Sequence, residues 1–153
     1  RLLHGTGRMH EDLADDHRAL KYEPRHCEAL LLVAEWHREM GQPWRALTAL
    51  HELSDLYPPG SEPQQVLYLT GRAYSATGRY EEAVQSFQAA LDRGEATAEL
   101  CFRLGEAQWM AGSTGNAAQS ARQALALTPE HQPSRELLER IELARRAGQT
   151  ASR

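Results

Sequence analysis

The sequence predicts an all-α fold that is assembled from repeated pairs of antiparallel helices. Glycines recur along the chain at separations of 34, 37 and 34 residues, at Gly7, Gly41, Gly78 and Gly112. Helical patterns precede and follow these glycines, so each glycine is expected in the turn between two helices. Self-similarity at such a period indicates a repeat protein, in which each helix pair buries its apolar surface against the next pair.

Residues 66–91 form the clearest of these units. A first helical pattern ends at the turn Thr77-Gly78-Arg79, and a second pattern follows that turn. Small residues such as Gly71 and Ala83 alternate with large ones such as Phe87. This alternation predicts that two helix backbones approach closely and that their side chains interlock.

Two motifs in this unit resemble the tetratricopeptide repeat (TPR) family, whose period is about 34 residues. They are Thr70-Gly71-Arg72-Ala73-Tyr74 and Gly78-Arg79-Tyr80-Glu81-Glu82-Ala83. The resemblance implies a right-handed superhelical α-solenoid of stacked antiparallel helix pairs with a C-terminal capping helix. We expect one TPR-type domain over residues 1–148: a half repeat at 1–26, full repeats at 27–60, 64–97 and 98–131, and the capping helix at 132–148. Residues 149–153 are expected to form a disordered tail.

The two ends of the chain are predicted to differ in their exposure to solvent. The capping helix has charged residues where the earlier unit has close-packing ones, at Glu139, Glu142 and Arg146. Such a charged face predicts a solvated end of the array. At the other end, the chain opens at Arg1 within a helical pattern, so we expect it to be a fragment of a longer protein. The helix expected at 8–22 then lacks a partner, which predicts self-association through this open N-terminal end.

Composition argues against several classes of function. The net charge of -4 provides no basic surface for nucleic acid, and no apolar run is long enough for membrane insertion. Cys27 and Cys101 lie too far apart in sequence for a metal or redox motif, and as free thiols they favour a reducing compartment and therefore the cytoplasm. His10 and His17 lack the spacing of a known metal motif. No nucleophile or phosphate-loop motif is present, so we expect neither an enzyme nor a cofactor.

The remaining hypothesis is a surface that binds another protein. The resemblance implies that the first helix of each pair lines a concave groove, whereas spacing within each helix selects the residues on that face. The predicted partner-binding residues are Glu28, Leu31, Glu35, Arg38, Tyr68, Arg72, Phe102, Glu106, Trp109 and Arg140. This set predicts a non-catalytic protein–protein interaction scaffold that binds a peptide or helix with apolar side chains and at least one basic group. The aromatic members could instead pack against neighbouring helices.

Two further expectations concern the kind of partner. Some TPR proteins hold the acidic C-termini of chaperones with Lys and Asn side chains, and the predicted groove positions contain neither residue type. A clamp of that kind is therefore not expected. The alternative function is an accessory or regulatory TPR domain that belongs to a larger enzyme, for example a transferase.

Overall fold

The computed structural model describes residues 27–152, and every structural statement below concerns that part of the chain. Four predictions fall outside it: the half repeat at 1–26, the helix at 8–22, self-association through that helix, and the pair His10 and His17.

The described residues form seven α-helices and contain no β-strand. The helices are α1 (Cys27–Glu39), α2 (Pro43–Ser54), α3 (Gln64–Ala76), α4 (Tyr80–Arg93), α5 (Ala98–Met110), α6 (Thr114–Leu127) and α7 (Gln132–Ala151). The predicted all-α fold of stacked antiparallel helix pairs is confirmed. Between residues 27 and 152, no helix combines the length and the apolar character needed to cross a membrane.

The same turn joins the two helices within each of the three pairs. In the second pair, the Gly78 amide donates to the Ser75 carbonyl, and the Arg79 amide donates to the Tyr74 carbonyl at 3.0 Å. These two bonds form a Schellman motif, which needs a residue with positive φ, and Gly78 has a φ of 78°. The turns at Gly41 and Gly112 repeat these bonds, which explains the regular glycine spacing in the sequence.

The chain divides into two compact units between Glu62 and Pro63. The first unit contains the pair α1 and α2, whose buried apolar residues include Leu30, Val33 and Leu50. Helix α2 begins with Pro43 in its first turn. Proline has no amide hydrogen, but amide groups in the first turn have no carbonyl partner within the helix, so no hydrogen bond is lost.

The second unit contains α3 to α7, and each helix packs against the next one along the chain. Phe87 on α4 is completely buried and packs with Leu100 and Leu104 on α5. Alanines of α6 continue the core towards Leu137 and Ile141 on α7. These buried residues of α7 cover the apolar face of α5 and α6, which is the role predicted for the capping helix.

The predicted disordered tail is wrong for residues 149–151, because α7 continues to Ala151. Gly148 does not end the helix, since it lacks the positive φ that a glycine stop uses. In the extra turn, the Thr150 hydroxyl donates to the Ala147 carbonyl at 2.9 Å. The expectation that residues 1–148 form a single domain remains a prediction.

Candidate partner-binding site

Polar side chains from α3 and α5 meet on one face of the second unit. Tyr68 and Arg72 lie four residues apart on α3, so they share one side of that helix. On α5, Glu99, Arg103 and Glu106 share one side for the same reason. Because α3 and α5 are in contact, the two stripes form one surface, which we call the α3–α5 face.

A chain of hydrogen bonds links these five residues. The Arg72 guanidinium donates to the Tyr68 hydroxyl at 3.2 Å, and that hydroxyl donates to Glu99 Oε1 at 3.4 Å. Arg103 Nε donates to the same Glu99 oxygen at 2.7 Å. Arg103 also reaches Glu106 Oε1, at 3.3 Å. The side chains of the face are therefore held in place by one another.

His131 joins this network from the segment that precedes α7. Its Nε2 lies 3.6 Å from Glu99 Oε2, and its Nδ1 lies 2.7 Å from the hydroxyl of the fully buried Ser134. The imidazole also packs against Phe102, with 5.7 Å between the ring centroids. These contacts connect the start of α7 to the α3–α5 face.

The network changes the acid–base properties of two of its members. Burial acts to raise the pKa of Glu99, but the hydrogen bond and charge of Arg103 outweigh it, with help from His131 and Arg72, and hold that pKa below its usual range. Burial acts to lower the pKa of Arg103, yet Glu99 and Glu106 raise it on balance. Glu99 and Arg103 are thus a stably charged pair at neutral pH.

Arg72 differs from the other charged groups of the face because it forms no ion pair within residues 27–152. No carboxylate lies within ion-pair distance of its guanidinium in the described part of the chain. Its carbon Cζ instead stands 5.9 Å from the centroid of the Tyr68 ring. Arg72 is half-buried, so it offers an oriented cation that is linked to the Glu99 carboxylate only through the Tyr68 hydroxyl.

A small cleft opens beside Tyr68 at the N-terminal ends of α3 and α5. The cavity has a volume of about 290 Å³, and Gln64, Thr97 and Leu100 line it together with Tyr68. Gln64 fixes one edge, because its side-chain amide donates to the Ala90 and Glu95 carbonyls at 2.9 Å each. Thr97 caps α5 by accepting a hydrogen bond from the Leu100 amide.

The structure corrects the predicted exposure of Phe102. This side chain is only 6% exposed and belongs to the core cluster of α5, α6 and α7. It turns inward because His131 and Arg103 cover its ring. Trp109 is half-buried and packs against the same cluster, whereas Arg140 on α7 is exposed.

The other predicted site residues lie on α1, in the first unit. Glu28 and Arg38 are exposed, while Leu31 and Glu35 are half-buried. Their membership of a binding site, like that of Tyr68, Arg72, Glu106 and Trp109, remains a prediction.

Arg103 and His131 belong to the face although neither was predicted as a site residue. Arg103 could have been found, because an arginine four residues after Glu99 on a helix is well placed for an ion pair. His131 lies before α7 and follows no helical period, so spacing gives no signal for it. Among residues 27–152, no group of three or more His, Cys, Asp or Glu side chains could hold a metal ion.

Comparison with known proteins places this arrangement in context. A family model described as tetratricopeptide repeat matches residues 68–131. A second model, described as anaphase-promoting complex, cyclosome, subunit 3, matches residues 13–90 and is also of tetratricopeptide type. No curated protein matches the chain.

Three of the solved structures that share this fold resemble the chain over most of its length. The MamA RS-1 ArsTM double mutant has a TM-score of 0.84 at 20% identity, over 95% of this chain and 80% of that one. The second TPR domain of human RPAP3, in complex with an HSP70 peptide, has a TM-score of 0.66 at 20% identity, over 71% and 88%. YrrB, described as a TPR protein with an unusual peptide-binding site, has a TM-score of 0.69 at 20% identity, over 80% and 62%. At these identities the likeness concerns the fold alone.

Proposed function

Because the chain belongs to the tetratricopeptide repeat family, we propose that it is a non-catalytic scaffold that binds a peptide or helix of a partner protein on its α3–α5 face. Solved relatives support this class of function: the RPAP3 domain is in complex with an HSP70 peptide, and YrrB is described by its peptide-binding site. Neither relative identifies the partner of this chain.

The pair formed by Arg72 and Tyr68 carries the proposal. Arginine and tyrosine dominate binding hot spots, because they combine a large contact area with directed polar groups. Here the guanidinium is already oriented by its hydrogen bond to the hydroxyl and by the aromatic ring. A partner group that binds Arg72 therefore gains a charged hydrogen bond with little loss of side-chain freedom.

The charges of the face define the chemistry of the segment that would bind. A carboxylate or a main-chain carbonyl suits Arg72, because no carboxylate in residues 27–152 lies within ion-pair distance of its guanidinium. The basic group expected from the sequence would bind Glu106, because its contact with Arg103, at 3.3 Å, is longer than the 2.7 Å contact between Glu99 and Arg103. An apolar side chain fits the cleft beside Tyr68 and Leu100.

A matched pair of charge-removing variants tests this proposal. Arg72→Gln keeps part of the aliphatic stem and replaces the guanidinium with a neutral amide that still donates hydrogen bonds. Arg122→Gln makes the same change at an exposed position on α6. Partner proteins are captured from native lysate and identified by mass spectrometry for both variants. We expect Arg72→Gln to lose partners that Arg122→Gln retains, while circular dichroism shows equal helical content.

The larger substitutions Tyr68→Ala and Trp109→Ala are less suitable. Both side chains pack against core clusters of the second unit, so their removal changes stability as well as binding. Equal capture by Arg72→Gln and Arg122→Gln would remove the main support for the α3–α5 face.

A further inference from the structure

A second groove runs along the other helices of the same unit. Helices α4 and α6 form its walls and α5 forms its floor, enclosing a cavity of about 680 Å³. The α6 wall is a stripe at helical spacing that contains Asn116, Gln119 and Gln123. Gln88 lies on the opposite wall, on α4. None of these residues belongs to the α3–α5 face.

The groove contains no charged side chain. A quarter of all residues in the chain are charged, yet none of the twelve residues that line this cavity is Asp, Glu, Lys, Arg or His. A charged ligand that entered it would lose hydration and would gain no counterion. The groove is therefore suited to an uncharged ligand.

Gln108 occupies the floor of the groove in a fixed orientation. Its side chain carbonyl accepts a hydrogen bond of 2.7 Å from the hydroxyl of the buried Ser120. Gln108 is only 9% exposed, and its amide nitrogen has no hydrogen-bond partner in the described part of the chain. Because Gln108 lines the cavity, this nitrogen is an accessible and unpartnered donor that a ligand carbonyl can bind.

We propose that this groove, from here on the carboxamide groove, binds an extended and uncharged polypeptide segment through its main chain. An extended main chain presents N–H and C=O groups in alternation, and each Gln or Asn side chain supplies both the donor and the acceptor that complement them. A helical segment would use these main-chain groups internally.

The dimensions of the groove agree with an extended segment. Its α6 wall reaches from Asn116 to Leu127, which at about 1.5 Å per residue is roughly 16 Å. An extended chain advances about 3.3 Å per residue, so roughly five residues fit. Leu91 and the exposed Leu127 provide apolar surface along the groove, which suits aliphatic side chains in that segment.

Selection from a random heptapeptide phage library against the full chain tests the proposal. We expect enriched peptides that are poor in Asp, Glu, Lys and Arg. For a synthetic copy of an enriched peptide, Gln108→Leu should lower affinity at least tenfold, because it removes the amide donor on the floor of the groove. Methylation of a central peptide nitrogen should have a similar effect, whereas Arg72→Gln should change affinity less than twofold.

A second variant keeps the test valid if Gln108→Leu does not fold. Gln119→Arg places a charge on the exposed wall of the groove and should also weaken binding tenfold or more. Gln85→Arg makes the same change at an exposed α4 position that does not line the groove, and it should bind like the wild type. Melting temperatures of both variants serve as the folding control.

Several results would overturn the proposal. They are the absence of any enriched peptide that is poor in charged residues, and binding of such a peptide that does not depend on Gln108 or Gln119. A concentration-dependent dimer that Gln119→Arg abolishes would identify a second copy of the chain as the occupant. Since the carboxamide groove and the α3–α5 face are tested by different variants, either proposal can fail without the other.

Discussion

Phe87 fills the space that a side chain at Gly71 would need. A Cβ atom built on Gly71 would lie 2.7 Å from Cε1 of Phe87, closer than such atoms approach in proteins. Phe87 has no exposed surface, so its ring can move only if neighbouring core atoms move as well. The helix pair α3 and α4 therefore depends on the absence of a side chain at position 71.

We expect Gly71→Ala to lower the free energy of unfolding by about 1–3 kcal/mol, the usual range for an overpacked core. The added methyl group forces Phe87 or the α3 backbone to shift. Urea unfolding followed by circular dichroism measures the change.

Gly115→Ala is the matched control, because a Cβ at Gly115 meets no atom within 4 Å. Since alanine favours a helix over glycine, this variant should be equal to the wild type or up to about 1 kcal/mol more stable. Combining Gly71→Ala with Phe87→Leu should recover part of the loss. Equal stability of the two alanine variants would contradict close packing at Gly71.

Thr97 anchors the first turn of α5. Its hydroxyl accepts the Leu100 amide at 3.2 Å, so Thr97→Ala should lower the free energy of unfolding by about 0.5–2 kcal/mol. Thr97→Ser keeps the hydroxyl and should therefore retain most of the wild-type stability. Ser113 stands at the equivalent position before α6 without a side-chain cap bond, so Ser113→Ala should change stability by less than about 0.5 kcal/mol.

Glu99 makes the stability of the second unit depend on pH. Its pKa is lower in the folded state than the ordinary 4.5, so its ion pairs stabilise the fold above that value. This contribution disappears as pH falls through the folded-state pKa. Glu99→Gln should therefore be less stable than the wild type at about pH 5.5, and this difference should shrink as the pH falls below the ordinary pKa of 4.5.

The size of this effect should be modest. The Glu99 side chain is 44% exposed, so solvent and salt screen the pair, and a difference of about 1 kcal/mol or less is expected. Urea unfolding across the pH range measures it, with Glu130→Gln at an exposed carboxyl as the control. A difference that grows as pH falls would contradict the lowered pKa.

Periodicity predicted the features that repeat. The Schellman turns at Gly41, Gly78 and Gly112 follow from glycine spacing, because each turn needs a residue with positive φ. The small residues of α3 and α4 were interpreted correctly as packing positions, as the contact between Gly71 and Phe87 demonstrates.

The spacing of residues within a helix does not show which face of that helix is covered by another element. Phe102 has the spacing of a groove residue, but His131 from outside the helical repeat covers its ring. The carboxamide groove combines α4, α5 and α6, and its neutral character becomes visible only when three helices are assembled. The alternative function, an accessory domain of a larger enzyme, remains a prediction.

The central claim is that the α3–α5 face binds a partner through Arg72. The most direct measurement is the dissociation constant of a captured partner peptide for Arg72→Gln and for Arg122→Gln, by fluorescence anisotropy. Loss of a charged hydrogen bond is worth about 1.5–3 kcal/mol, so we expect binding to Arg72→Gln to be at least tenfold weaker than to the wild type. Arg122→Gln should match the wild type. Equal dissociation constants for the two variants would contradict the proposed site.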